Sequence, residues 1–247
     1  MTTGTKLAYA FLLGAFAVAV SACAQEVKVT GRLRLGSESM PGKTRSSADS
    51  VVWLTPISSI SNRPAAVDAQ AAPRRLHLIQ KQKRFEPHVL AVPLGSAVDF
   101  PNHDPLFHNV FSLFNGKRFD LGLYEAGTTR AVIFDRPGIC YIFCNIHPEM
   151  SAVVVVVDTP YFAVSGAAGE FVIPDVPPGR YRLQVFHERS LPEFLRTLTR
   201  EVTVSAEGDD LGTIHLVEAG DLRLTHKNKY GREYDLPAPR SPLYQQP

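Results

Sequence analysis

Short apolar runs separated by Gly and Pro recur along most of the chain, and no stretch keeps a helical period over a useful length. The clearest alternation is Phe171 and Ile173, followed beyond a Pro-Pro-Gly turn by Tyr181, Leu183 and Val185. Each of these strands offers one face to a core. The same reading predicts strands over Glu26 to Leu35, Ser50 to Leu54, Arg75 to Gln80, His88 to Val92 and Ala97 to Phe100. It continues with His108 to Ser112, Arg118 to Tyr124, Thr129 to Phe134, Ile139 to Cys144 and Ala152 to Val157. With 19 prolines and 17 glycines to supply the turns, the chain reads as all-β.

The pattern divides the chain. Residues 55 to 74 are rich in Ser, Ala and Pro and read as a loop or linker, which with the β segment before it makes up 25–75 and leads into a first sandwich, 76–158. After Asp158-Thr159-Pro160 the alternation restarts. There Val202, Val204, Leu211, Ile214 and Leu216 supply the facing side of a second, smaller sandwich over 159–217. The tail, 218–247, mixes charges, Pro and Gln without a period and reads as extended or disordered.

At the start, Lys6 precedes an apolar run from Leu7 to Val20 and then Ser21-Ala22-Cys23-Ala24, the form of an export signal over 1–24. The run is too short to span a bilayer comfortably. Two cleavage patterns overlap: a lipobox that would leave a lipid anchor on Cys23, and a small-x-small site cut before Gln25. Both place the mature protein in the periplasm or cell envelope.

A formal charge of only +2 gives no basic bias toward nucleic acid. Three cysteines are too few for a disulfide scaffold. Cys140 and Cys144 lie four apart in one predicted strand, which at strand rise separates their Cα atoms by roughly 13 Å, beyond disulfide reach. Both are expected to be reduced.

The candidate chemistry lies in Cys144-Asn145-Ile146-His147-Pro148-Glu149-Met150 together with His108-Asn109. They offer one thiolate, two imidazoles and one thioether, the donor set of a type 1 (blue) copper site, which hardly changes geometry on electron transfer. Cys144 would end a strand, His147 and Met150 would occupy the following loop, and His108 would come from a separate strand.

Residues 76 to 158 resemble the cupredoxins, nearest in loop length to amicyanins, whose ligand loop also has the form Cys-x2-His-x2-Met. The resemblance extends to Phe85-Glu86-Pro87, Val92-Pro93-Leu94-Gly95, Val98-Asp99-Phe100-Pro101-Asn102, His108-Asn109-Val110 and Pro137-Gly138. It implies a cupredoxin-type Greek-key β-sandwich holding one copper through His108, Cys144, His147 and Met150. Asn102 and Asn109 would support these ligands, Asn102 by tying the two ligand loops together. It further implies a one-electron carrier and no enzyme, with periplasmic redox proteins docking briefly where His147 reaches the surface inside an apolar collar of Pro105, Leu106, Phe107 and Pro148. Glu149 departs from the family, which is aromatic there. The whole chain is similar to exported proteins labelled methylamine utilisation proteins. Residues 160 to 217 resemble a carboxypeptidase regulatory-like domain, a prealbumin-like sandwich of the carbohydrate-binding-like group, and Val27 to Pro56 resembles the opening of one.

Other readings of the same residues remain open. Cys140 with Cys144 suggests the dinuclear copper centre of cytochrome oxidase subunit two, but the strand-forming Tyr141-Ile142-Phe143 makes Cys140 a core residue one layer deeper. His77, His88, His187, His215 and His226 are isolated and read as surface residues, and His103 lies in a polar turn. A multicopper enzyme would need histidines beside Cys144, where Phe143 and Asn145 stand. The basic run Arg74, Arg75, Lys81, Lys83 and Arg84 reads as a solvated face. A different class remains as well: a cell-envelope binding module of β-sandwiches, for carbohydrate or protein, with a vestigial or storage copper site.

Overall fold

Residues 153 to 157 are five consecutive valines, and a strand without a polar position is one covered on both faces. In the computed structural model, which describes residues 26–37, 46–57, 75–113, 116–219 and 227–234, this strand is the hinge of the architecture. Two strands, β1 (Val27–Ser37) and β2 (Val51–Pro56), come first. The central part holds β3 (Leu76–His77), β4 (Ile79–Lys81), β5 (Arg84–Glu86), β6 (Val89–Pro93), β7 (Ala97–Pro101) and β8 (His108–Ser112). It continues through β9 (Phe119–Tyr124), β10 (Thr129–Ile133), β11 (Gly138–Phe143) and β12 (Ser151–Val157). The last part comprises β13 (Phe162–Val164), β14 (Glu170–Val176), β15 (Gly179–Phe186), one short helix α1 (Pro192–Thr197), β16 (Arg200–Val204) and β17 (Asp209–Glu218).

A five-stranded sheet in the order β6-β12-β11-β8-β9 faces a three-stranded sheet, β10-β7-β3. Between them Val92, Val98, Phe100, Val110, Phe134, Cys140, Ile142, Ala152 and Val154 form one core. The odd-numbered valines of β12, Val153, Val155 and Val157, point the other way into a second core with Val29, Leu33, Leu54, Ile173 and Leu183. Burying each valine is worth roughly 1.5–3 kcal/mol. The five-stranded sheet is therefore a shared middle layer.

The early segment does not stand apart. β1 lies between β14 and β17, antiparallel to the first and parallel to the second, and β2 pairs with β13 and β15. The second sandwich thus combines β1 and β2 with β13 to β17, and the first sandwich is inserted between its halves. The expected single strand from Arg75 to Gln80 is broken at Leu78. β3 joins β7 in parallel, whereas β4 turns back on β5 as a hairpin. The export signal, Cys23 and most of the Ser- and Ala-rich linker lie outside the described residues, as does His226.

Two of the histidines expected at the surface serve the junction instead. His187 is buried, with Nδ1 3.1 Å from the Ser50 hydroxyl. His88 pairs with Glu188 across the two sandwiches. The hydrogen bond that the His88 ring donates to the Glu188 carboxylate raises the His88 pKa against the opposing effect of burial. A raised folded-state value contributes stability below the unfolded pKa, near 6.5, and that contribution is lost as pH rises through the folded value. His187 has the opposite sign: burial, with Arg189 nearby, holds it below its ordinary value, so its contribution is lost as pH falls. Glu188→Gln is therefore expected to destabilise the protein more near pH 5 than near pH 9 in urea melts. An equal loss at both pH values would deny the His88 pair this role.

Candidate metal centre

β11 alternates, so Cys140, Ile142 and Cys144 face the first core while Ile139 and Tyr141 face the second. Cys144 is thereby delivered, fully buried, to the end of the sandwich. The chain then turns tightly: the Met150 amide donates to the His147 carbonyl at 3.0 Å, and the Cys144 amide to the Met150 carbonyl at 3.2 Å. This closure holds His147 and Met150, both buried, in the loop before β12. His108 opens β8, and β11 reaches β8 through Phe143 opposite Phe111.

His108, Cys144 and His147 come together, with one donor atom each and all three atoms within 4.8 Å of one another. Both rings turn Nδ1 inward, 3.9 Å and 3.6 Å from the Cys144 sulfur and 3.1 Å apart. Burial, the largest cause, lowers the His147 pKa to about 4, so at neutral pH the ring is the neutral imidazole that binds metals. Burial raises the Cys144 thiol, while the backbone amides of Asn109, Ile146 and His147 act in the opposite direction. A buried sulfur with two imidazole nitrogens facing it matches a soft, thiophilic ion that also accepts imidazole. Met150 packs in the same core.

The Asn109 side-chain amide donates to Asp120 at 2.7 Å. Asn102 was expected to bridge both ligand loops, but its bonds stay on the His108 side. Its amide donates to the Leu106 carbonyl at 2.8 Å and the Tyr124 carbonyl at 3.4 Å, and its Oδ1 accepts from the Asp104 amide at 3.0 Å. The reason is burial: fully enclosed at the end of β7, Asn102 must satisfy its donors locally. Of the collar, Phe107 is 58% exposed and Pro105 and Pro148 are exposed, whereas His147 itself shows only 4% of its surface. Cys140 is a free, buried thiol outside the His–Cys–His group; its sulfur accepts from the Lys117 amide at 3.1 Å.

Two features escaped the sequence reading. Asp104, 6% exposed, accepts from His108 Nε2 at 2.8 Å and from the Lys83 amide at 2.8 Å, and also from the Gln82 amide. These bonds outweigh burial and hold its carboxyl below the ordinary value. Part of the tail, expected to be extended or disordered, is fixed by specific contacts where it is described. Glu218 closes β17, buried against Arg189. Residues 227–234 lie across the ligand loop: the Lys229 amide donates to Asn145 Oδ1 at 2.9 Å, Lys229 Nζ meets Asp120 at 2.7 Å, and the Tyr234 hydroxyl donates to the Cys144 carbonyl at 2.8 Å. Specific polar partners, rather than an apolar face, hold this segment. Hydrophobic periodicity therefore gave no sign of it.

No family model matches the chain, and no curated protein matches it. Among solved structures it is similar to a purple cupredoxin from Nitrosopumilus maritimus, at 24% identity over 33% of this chain and 99% of that one, with a TM-score of 0.31. A copper-containing nitrite reductase from Thermus scotoductus SA-01 is similar at 25% identity over 42% of this chain and 28% of that one, TM-score 0.35. Amicyanin, as the reduced Cu(I) form of a point mutant at pH 4, is similar at 22% identity over 36% of this chain and 88% of that one, TM-score 0.33. These likenesses are partial, so the functional reading rests on the donor set and its geometry.

Proposed function

We propose that this chain is an exported type 1 copper protein that passes single electrons between redox partners of the cell envelope. The observation that carries the reading is the convergence of His108, Cys144 and His147, all buried, on one point beside a loop closed by Met150. Copper would be held by His108, Cys144, His147 and Met150 and would supply a one-electron couple. The remaining work belongs to the chain. The core beneath Cys144 excludes water, and the loop closed by the Cys144 and Met150 amides holds His147 and Met150 beside it. The exposed Phe107, with Pro105 and Pro148, offers a small apolar patch suited to brief docking near His147. No further histidine adjoins Cys144, which favours a carrier over a multicopper enzyme.

Titration of the purified protein with Cu(II), followed by absorption and electron paramagnetic resonance, tests this reading. An intense thiolate band saturating at one copper per chain is expected. An intact, reduced protein without such a band would move the function to a binding module. Met150→Leu is expected to keep the band and raise the reduction potential, because a thioether donor that favours the oxidised ion is removed. A lower potential in voltammetry would take Met150 out of the ligand set.

A further inference from the structure

His108 presents two nitrogens to two different partners. Nδ1 faces the Cys144 sulfur and His147, while Nε2 lies 2.8 Å from the Asp104 carboxylate. The carboxylate is almost completely enclosed and is held from the far side by two consecutive backbone amides, those of Gln82 and Lys83. These residues form the two-residue turn between β4 and β5, and both have positive φ, 52° and 54°. Such turns normally take Asn and Gly, because larger side chains resist the left-handed region. Two bulky residues kept there, with both amides aimed at one carboxylate, indicate a backbone held by its surroundings at a working site. A third bond, from the Asp104 amide to Asn102, fixes the loop that carries it.

We infer that Asp104 is a positioning residue of the metal centre: it holds the proton of His108 on Nε2, presents a bare Nδ1 to the metal, and lowers the reduction potential by making that nitrogen a stronger donor. The inference rests on the copper reading for its redox part alone. An anionic acceptor on the outer nitrogen pushes electron density into the ring, and a stronger donor favours the more highly charged, oxidised ion. The turn at Gln82 and Lys83 is the support that keeps the carboxylate in line. The arrangement is a chain of three supports, running from the strained turn to the buried acid to the ligand imidazole.

Two measurements test it. In the metal-free wild-type protein, long-range proton–nitrogen-15 correlation is expected to show His108 protonated at Nε2 with Nδ1 bare. Protonation of His108 at Nδ1 would overturn the inference without any variant. In the copper-loaded protein, Asp104→Asn is expected to keep the thiolate band but shift the potential upward. An unchanged potential in a folded, coloured Asp104→Asn protein would overturn the tuning role. If the wild type shows no thiolate band, the copper reading fails, and the tautomer in the metal-free protein still decides whether Asp104 positions His108.

Discussion

Cys144→Ala is expected to abolish the intense visible band formed with Cu(II) while leaving the protein folded. The band needs a thiolate bonded to the metal, and Cys144 supplies the sulfur that faces both imidazoles. Cys140 has no means of replacing it. It lies on the same strand four residues earlier, roughly 13 Å back at strand rise, with its sulfur engaged by the Lys117 amide. The two histidines remain in the variant and still offer nitrogen donors, so residual copper binding with only weak colour is the expected result. Removing one buried sulfur atom costs on the order of 1–2 kcal/mol, too little to unfold a chain with two cores. Absorption after copper addition, paired with far-ultraviolet circular dichroism, reads both sides of the forecast. Persistence of the intense band in the folded variant would sink the assignment of Cys144.

How much of this was legible follows from what each feature depends on. Three of the candidate donors, Cys144, His147 and Met150, share seven residues at the end of a strand, where local spacing fixes the loop, whereas His108 lies 36 residues before Cys144 and meets Cys144 and His147 only through the fold. The strands were likewise readable from local spacing, with most ends shifted by one or two residues. The run Val153 to Val157 declared a strand covered on both faces. Yet a strand without alternation carries no mark of what covers its second face. That face is closed by β1 and β2 together with strands more than a hundred residues further on, a pairing no local pattern encodes. Asp104 was hidden differently. Its position between Asn102 and Pro105 reads as an ordinary polar turn, and only the fold of that loop brings it beneath His108. Residues 227–234 were missed because three polar bonds, not periodic apolar contacts, attach them.

Gly169→Ala is expected to lower the melting temperature by roughly 10 °C, reflecting a loss of about 3 kcal/mol or more. Gly169 has φ of 80°, and an added Cβ would meet the Leu33 carbonyl and the Ser47 hydroxyl well inside van der Waals contact. Those groups have nowhere to go. The Leu33 carbonyl accepts from Ser47 at 2.8 Å, the Leu33 amide donates to the Gly169 carbonyl at 2.8 Å, and Leu33 and Ser47 are buried. Gly212 separates backbone strain from close approach. Its φ of 68° is just as left-handed, but nothing lies within 4 Å of its Cβ position. Gly212→Ala should therefore cost only the strain of an L-residue in that region, about 1–2 kcal/mol. Equal losses in the two variants would mean that the Leu33 contact is not what makes Gly169 necessary. The Gly169 variant also reports on the shared sheet. If β12 truly belongs to both cores, loosening β1 should unfold the two sandwiches together, so Trp53 fluorescence and far-ultraviolet ellipticity should fall in one transition. Two separated transitions would make the insertion of one sandwich into the other a matter of chain order alone, and the ligand loop would then survive the loss of the second core.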